Sequence, residues 1–216
     1  MTWPARALAL WMLIAGASGA ALAQDRPGVF DFYVLSLSWS PTFCARESGA
    51  ADSEQCAAAA DFGFVVHGLW PQYERGYPEN CTAGEAERVP GRLAGAMLDI
   101  MPDWGLVQHQ WRRHGTCTGL SMTAYFESTR AAWGRIRIPP EFAGADETRT
   151  VAARDIEAAF IAANQGLPAE GIAVACEDGW VEEVRICLTR DLAFRACEEV
   201  DRRGCRQRSL KLPPAD

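Results

Sequence analysis

Three histidines are all that this 216-residue chain contains, and their placement is uneven. His67 closes an apolar run in "FVVHGLWP", whereas His109 and His114 share the short segment "HQWRRHGTC". Imidazole titrates near pH 6.5 when unperturbed, so it takes up and releases protons under ordinary conditions. On a helix, His109 and Arg113 are i,i+4 neighbours, and Gln110 and His114 form the next such pair about 100° around. One helix edge then offers two imidazoles, a guanidinium and an amide. That set suits an oxyanion that carries charge and exchanges protons, which is a phosphate. With His67 arriving from a strand end, the expectation is that all three imidazoles meet at one phosphate.

Two histidines around a phosphodiester suit acid–base cleavage of RNA. The 2′-hydroxyl is a built-in nucleophile, so one imidazole removes its proton and the other protonates the leaving 5′-oxygen. A nearby cation stabilises the charged phosphorus, and DNA, lacking that hydroxyl, would not react. Other chemistry fits less well. Three histidines can bind zinc, but the H-x₄-H spacing is not that of a helical zinc pair. Neither histidine segment holds an acidic residue, and Arg112 and Arg113 would repel the cation. There is no G-x-S-x-G nucleophile elbow and no Walker-type phosphate loop. No metal or other cofactor is therefore expected. A solvated helix face that merely carries histidines is the plain alternative.

The formal charge of −7 makes the chain a poor passive binder of nucleic acid. Contact with a polyanion must then be local and basic, at Arg112–Arg113 or in the tail "DRRGCRQRSLK". The first residues, "MTWPARALALWMLIAGASGAALAQ", have one arginine, an apolar middle and a small-residue "ALA". This is the layout of a secretory signal. A cut after Ala23 would leave residues 24–216 as one domain, long enough for a proper core. The apolar run is short of the roughly 20 residues that span a bilayer, so the mature protein is expected free of the membrane, periplasmic or secreted, and monomeric. All eight cysteines follow the cut. An even number in an exported chain argues for disulfides, whose pairing spacing alone does not give.

The elements that must position these groups can be outlined. "FDFYVLSLSWS" (30–40) alternates as a strand ended by Pro41. "DFGFVVHGLWP" reads as a second strand, closed by Gly68 and Pro71, and residues 72–90 as a long loop. "GRLAGAMLDIMP" carries Leu93, Ala96, Met97 and Ile100 at helical spacing, stopped by Pro102. "LVQHQWRRHG" is a short helix with Gly115 as a left-handed cap. "SMTAYFESTRAAWGRI" opens on a Ser121 cap, and "ARDIEAAFIAANQG" is a further helix. "GIAVAC" and "VEEVRICLTR" form a hairpin about Asp-Gly, with Val184, Ile186 and Leu188 on one face and Glu183 and Arg185 on the other. The order favours an α+β fold with a central antiparallel sheet and helices mainly on one side.

"HGLWP" (67–71) and "HQWRRHGTC" (109–117) resemble the paired signatures of the ribonuclease T2 family, the second usually written H-E-W-x-K-H-G-T-C. "FYVLSLSWSPTFC" (32–44) is similar to that family's opening strand, and the likeness runs from about Phe30 to about Cys205. It implies an exported endoribonuclease acting on single-stranded RNA, giving 2′,3′-cyclic phosphates and then 3′-phosphates. It implies His114 as general base, His67 as general acid, the two exchanging roles on the cyclic product, His109 as a phosphate ligand, and Trp70 as a base-stacking surface. Arg113 stands where the family has lysine, in a chain with a single lysine, Lys211. Gln110 stands where it has glutamate, and cannot carry charge or a transferable proton. A weakened or pH-shifted enzyme is expected, the alternative being a weak relative kept for RNA binding or recognition. The resemblance also implies the pairs Cys44–Cys56, Cys81–Cys117, Cys176–Cys205 and Cys187–Cys197.

Overall fold

The computed structural model describes residues 25–46, 53–57, 62–82, 84–142 and 147–215. The expected leader, residues 1–23, lies outside the described residues. The strands are β1 (Phe32–Trp39), β2 (Phe64–Gln72), β3 (Arg149–Val151), β4 (Ile172–Glu177), β5 (Trp180–Leu188) and β6 (Leu210–Leu212). They form one sheet in the order β2-β1-β5-β6-β3, with β4 also paired to β5. Every pairing is antiparallel except a single parallel contact of β5 with β6. The helices are α1 (Ser40–Arg46), α2 (Gly91–Gly95), α3 (Trp104–Arg113), α4 (Met122–Arg135), α5 (Ala153–Ala163) and α6 (Glu198–Arg202). This is the α+β arrangement that the element order favoured.

Side-chain alternation divides the sheet into two faces. Tyr33, Leu35, Leu37 and Trp39 of β1 join Val184, Ile186 and Leu188 of β5 in the main core. Val107 and Trp111 of α3, Tyr125 and Phe126 of α4, and Ile156 and Phe160 of α5 cover that face. Trp111 is fully buried, and truncating such an aromatic costs about 3–5 kcal/mol. The opposite face carries a smaller cluster, Phe32, Val34, Cys187 and Cys197, with Trp70 and Val200 against it. The four implied disulfides are all formed. The β4–β5 hairpin turns through Asp178 and Gly179, both at positive φ as a type I′ turn requires. No helix among the described residues is long and apolar enough to cross a membrane.

Three local expectations need correction. β2 does not close at Gly68 and Pro71 but runs through both to Gln72. It is an edge strand, where a proline without an N–H is tolerated. The helix expected over 91–102 shrinks to five residues followed by turns. Gly91 and Gly95 weaken it, and the Ile100 carbonyl accepts from the Val66 N–H of β2 at 2.8 Å instead. Gly115 is not a left-handed cap; the chain continues from α3 into a 3₁₀ turn, Gly115–Thr118, and turns left-handed at Gly119 (φ 72°). Residue 115 is glycine for want of space: a Cβ there would lie 2.4 Å from the Trp111 ring and 2.9 Å from that of Tyr125.

Candidate functional site

His67 sits where β2 breaks phase. Ser36 of β1 pairs with Gly68, but Leu37 pairs with Val66, so His67 is an extra residue with no partner across the strand. Such a bulge re-aims one side chain and flips the parity of the residues beyond it. Phe64 and Val66 can thus enter the main core together with Leu69, although strict alternation would set them on opposite faces. After the bulge, Gly68, Trp70 and Gln72 face the other way, with Val34 and Phe32.

Helix α3 delivers the remaining groups. Asp103 caps it, its Oδ1 accepting from the Leu106 N–H at 2.7 Å. Val107 and Trp111 anchor it in the core, and the Trp111 indole N–H donates to the Ala86 carbonyl at 2.9 Å. This fixes the rotation of the helix, so His109, Gln110, Arg113 and His114 line a cleft of about 340 Å³ opposite His67 and Trp70. Cys81–Cys117 ties the loop after β2 to the turn beyond α3. The Asn80 N–H bonds the Arg113 carbonyl at 2.8 Å beside it. Tyr125 of α4 donates to the Leu69 carbonyl at 3.1 Å, which joins β2 to the same unit.

Trp70 stands between the imidazoles. Its ring lies 5.2 Å from that of His67 and 5.3 Å from that of His114, centroid to centroid. Its indole N–H donates to Gln110 Oε1 at 2.8 Å, and the Arg185 guanidinium lies 5.5 Å from its ring centre. Gln110 is only 1% exposed. The space for this bond comes from Gly68, where a Cβ would fall 2.1 Å from Gln110 Oε1.

The two imidazoles that flank Trp70 are held in different surroundings. His114 is buried, and burial first, then the positive charges of Arg113, His109 and His67, push it down to about 3. Its Nδ1 is enclosed without a hydrogen-bond partner, so an imidazolium there would strand a proton. His109 is also lowered, by burial and then by Arg113, His67 and Arg112. His67 Nδ1 instead pairs with the Glu183 carboxylate, which leaves Nε2 for the cleft. Burial would raise the Glu183 carboxyl, but the bond from His67 and the charges of His67 and Arg185 hold it down to about 2. Arg113 pairs with Glu79 at 2.5 Å on the cleft rim.

The structure thus brings His67, His109, Gln110, Arg113, His114 and Trp70 to one cleft. Arg112 lies apart, on a shallow groove with Trp104 and Gln108. Glu183 and Arg185 were missed. Their place off the core face of β5 was legible, but charged residues on such a face read as solvated. Cys187, alternating with them, was the available signal: a disulfide beneath means that this face is covered. Glu199 and Arg203, which line the cleft with Arg185, come from α6 and the turn after it.

Comparison with known proteins places this geometry. A ribonuclease of Aeromonas hydrophila is 45% identical over 104 residues, 48% of this chain and 45% of that protein. The chain therefore spans less than half the length of that relative. Ribonuclease I of Escherichia coli (strain K12) is 26% identical over 218 residues, covering 81% of each. An RNase-related protein from Calystegia sepium shares the fold, with a TM-score of 0.66 at 19% identity, over 87% of this chain and 98% of that one. The profile of the Ribonuclease T2 family matches residues 30–197, more than three quarters of the sequence, and the chain belongs to that family.

Proposed function

We propose that this protein is an exported endoribonuclease that cleaves single-stranded RNA by attack of the 2′-hydroxyl, without a metal ion. One observation carries the reading: two imidazoles line one cleft about Trp70 in opposite settings, His114 buried and neutral, His67 tied to a carboxylate. His114 starts neutral, the state a base needs, and the bound phosphodiester supplies the counter-charge that an imidazolium there lacks in the free protein, so His114 is the base toward the 2′-hydroxyl. His67, protonated at Nε2, gives its proton to the departing 5′-oxygen. The 2′-oxygen–phosphorus bond forms as the phosphorus–5′-oxygen bond breaks, leaving a 2′,3′-cyclic phosphate and a 5′-hydroxyl. In the second step His67 takes a proton from water as its oxygen bonds to phosphorus, and His114 returns one to the 2′-oxygen as the phosphorus–2′-oxygen bond breaks, giving a 3′-phosphate.

Arg113 and His109 hold the phosphate. The guanidinium keeps its charge and offers a rigid set of donors, and it lies on the rim where a strand of RNA enters. Trp70 forms an apolar wall, and stacking on such a ring tolerates any base. Gln110 serves that wall rather than the proton transfers, since its oxygen is occupied by the indole N–H. The four disulfides and the leader-like first 23 residues support export to the periplasm or beyond. The test is incubation of purified protein with a single-stranded RNA and a matched DNA, with and without chelator, with product ends read by mass. Cyclic and then 3′-phosphate ends from RNA alone, unaffected by chelator, support the reading. RNA bound but uncut would favour a recognition protein, and activity lost to EDTA and restored by zinc a metallohydrolase.

A further inference from the structure

The family signature places a glutamate where this chain has Gln110, yet the cleft is not without a carboxylate. We propose that Glu183 supplies it from β5, through its contact with His67, as a positioning residue that fixes the tautomer of that imidazole. The inference rests on the reading of His67 as the acid. Among the described residues, Glu183 is the only acidic side chain that pairs with a site imidazole.

Its setting is built for the task. Glu183 lies on β5, held between Ser38 of β1 and Ala175 of β4, so its backbone has no freedom to drift. The residue is 9% exposed and ionised. Oε1 lies in hydrogen-bond contact with His67 Nδ1. Oε2 takes two bonds from Arg185, from Nε at 3.0 Å and from the terminal amine at 2.8 Å. With both oxygens engaged, the carboxylate cannot turn away. Arg185 in turn lies over Trp70, whose indole is bonded to Gln110. A continuous chain of contacts therefore runs from the acid-bearing bulge, through β5, to position 110. The carboxylate has one consequence for His67: the proton sits on Nδ1 in the neutral ring, and Nε2 is the nitrogen that exchanges protons with the leaving oxygen.

The experiment compares two substrates. One is a dinucleotide, whose leaving alkoxide needs a proton; the other is a nucleoside 3′-(p-nitrophenyl phosphate), whose leaving group does not. Glu183→Gln is expected to lower kcat on the dinucleotide by on the order of 10²-fold. KM should barely change, and the nitrophenyl ester should be cleaved at a nearly normal rate. His67→Ala is expected to show the same selectivity, more strongly. Equal losses for Glu183→Gln on both substrates, or no loss, overturn the proposal while His67→Ala stays selective. If His67→Ala loses both activities alike, the reading of His67 as the acid fails instead. Should Glu183→Gln not fold, the wild-type protein decides through imidazole ¹⁵N shifts. An Nδ1–H tautomer for neutral His67 supports the proposal, and an Nε2–H tautomer overturns it.

Discussion

Acid should weaken the folded protein through His114 in a way that can be measured apart from every other group. Burial and three cationic neighbours push this imidazole from 6.5 down to about 3. Between those values the unfolded chain binds a proton that the fold refuses. Stability must therefore fall as pH falls, starting near 6.5 and levelling off near 3. Each unit below 6.5 costs about 1.4 kcal/mol, so the loss from this residue is about 1.4 kcal/mol at pH 5.5 and about 3 kcal/mol at pH 4.5. His109 leans the same way, so the assay is a difference. Urea unfolding of the disulfide-intact wild type and of His114→Gln would be followed from pH 7 to 4.5. The stability gap between them should shift by about 3 kcal/mol across that range, in favour of the variant in acid. Parallel pH profiles would refute the claim that His114 stays neutral in the fold, and with it the argument that makes it the base.

Other outcomes rest on the same geometry. Gly68→Ala drives a methyl into the Trp70–Gln110 hydrogen bond. Overpacking and the lost bond together should cost about 2–4 kcal/mol, read as a lower Tm, and turnover should fall as Trp70 is displaced. Removing Cys81–Cys117 with the pair Cys81→Ala and Cys117→Ala opens a 36-residue loop. That should cost about 4 kcal/mol and lower kcat in protein that circular dichroism shows still folded; an unchanged rate would mean that the bridge does not position His114. Gln110→Glu should leave kcat within about tenfold, because Glu183 already supplies a carboxylate. A rise of 10²-fold or more would make the acid at 110 a full participant in proton transfer.

Much of the scaffold could be read from local patterns. The alternation of Phe32–Trp39 gives β1, the Asp-Gly turn gives the β4–β5 hairpin, and Ser121 gives the start of α4, where its Oγ accepts from the Ala124 N–H at 3.2 Å. The convergence of His109, Gln110, Arg113 and His114 was legible in their helical spacing. What escaped depends on contacts between distant residues. Phe64, Val66 and Leu69 break the two-residue period, but that break does not say that His67 is the residue left unpaired. Glu183 lies 116 positions from His67 and reaches it only because β5 pairs with β1 and β1 with β2. Gly115 looks like a cap by its place after a helix, whereas its smallness answers Trp111 and Tyr125 pressing from inside. Ile100 ends the segment after α2 because β2 needs its carbonyl, which nothing in the local sequence announces.

The chain has only three histidines, so its imidazole Cε1–H spectrum contains three signals that together report on the whole proposed phosphate site. Titration with a nucleoside 3′-monophosphate tests the convergence most directly. All three signals are expected to move with one common midpoint, as befits imidazoles gathered about a single phosphate. Movement of the His109 and His114 signals with His67 unmoved, or midpoints that differ, would contradict it.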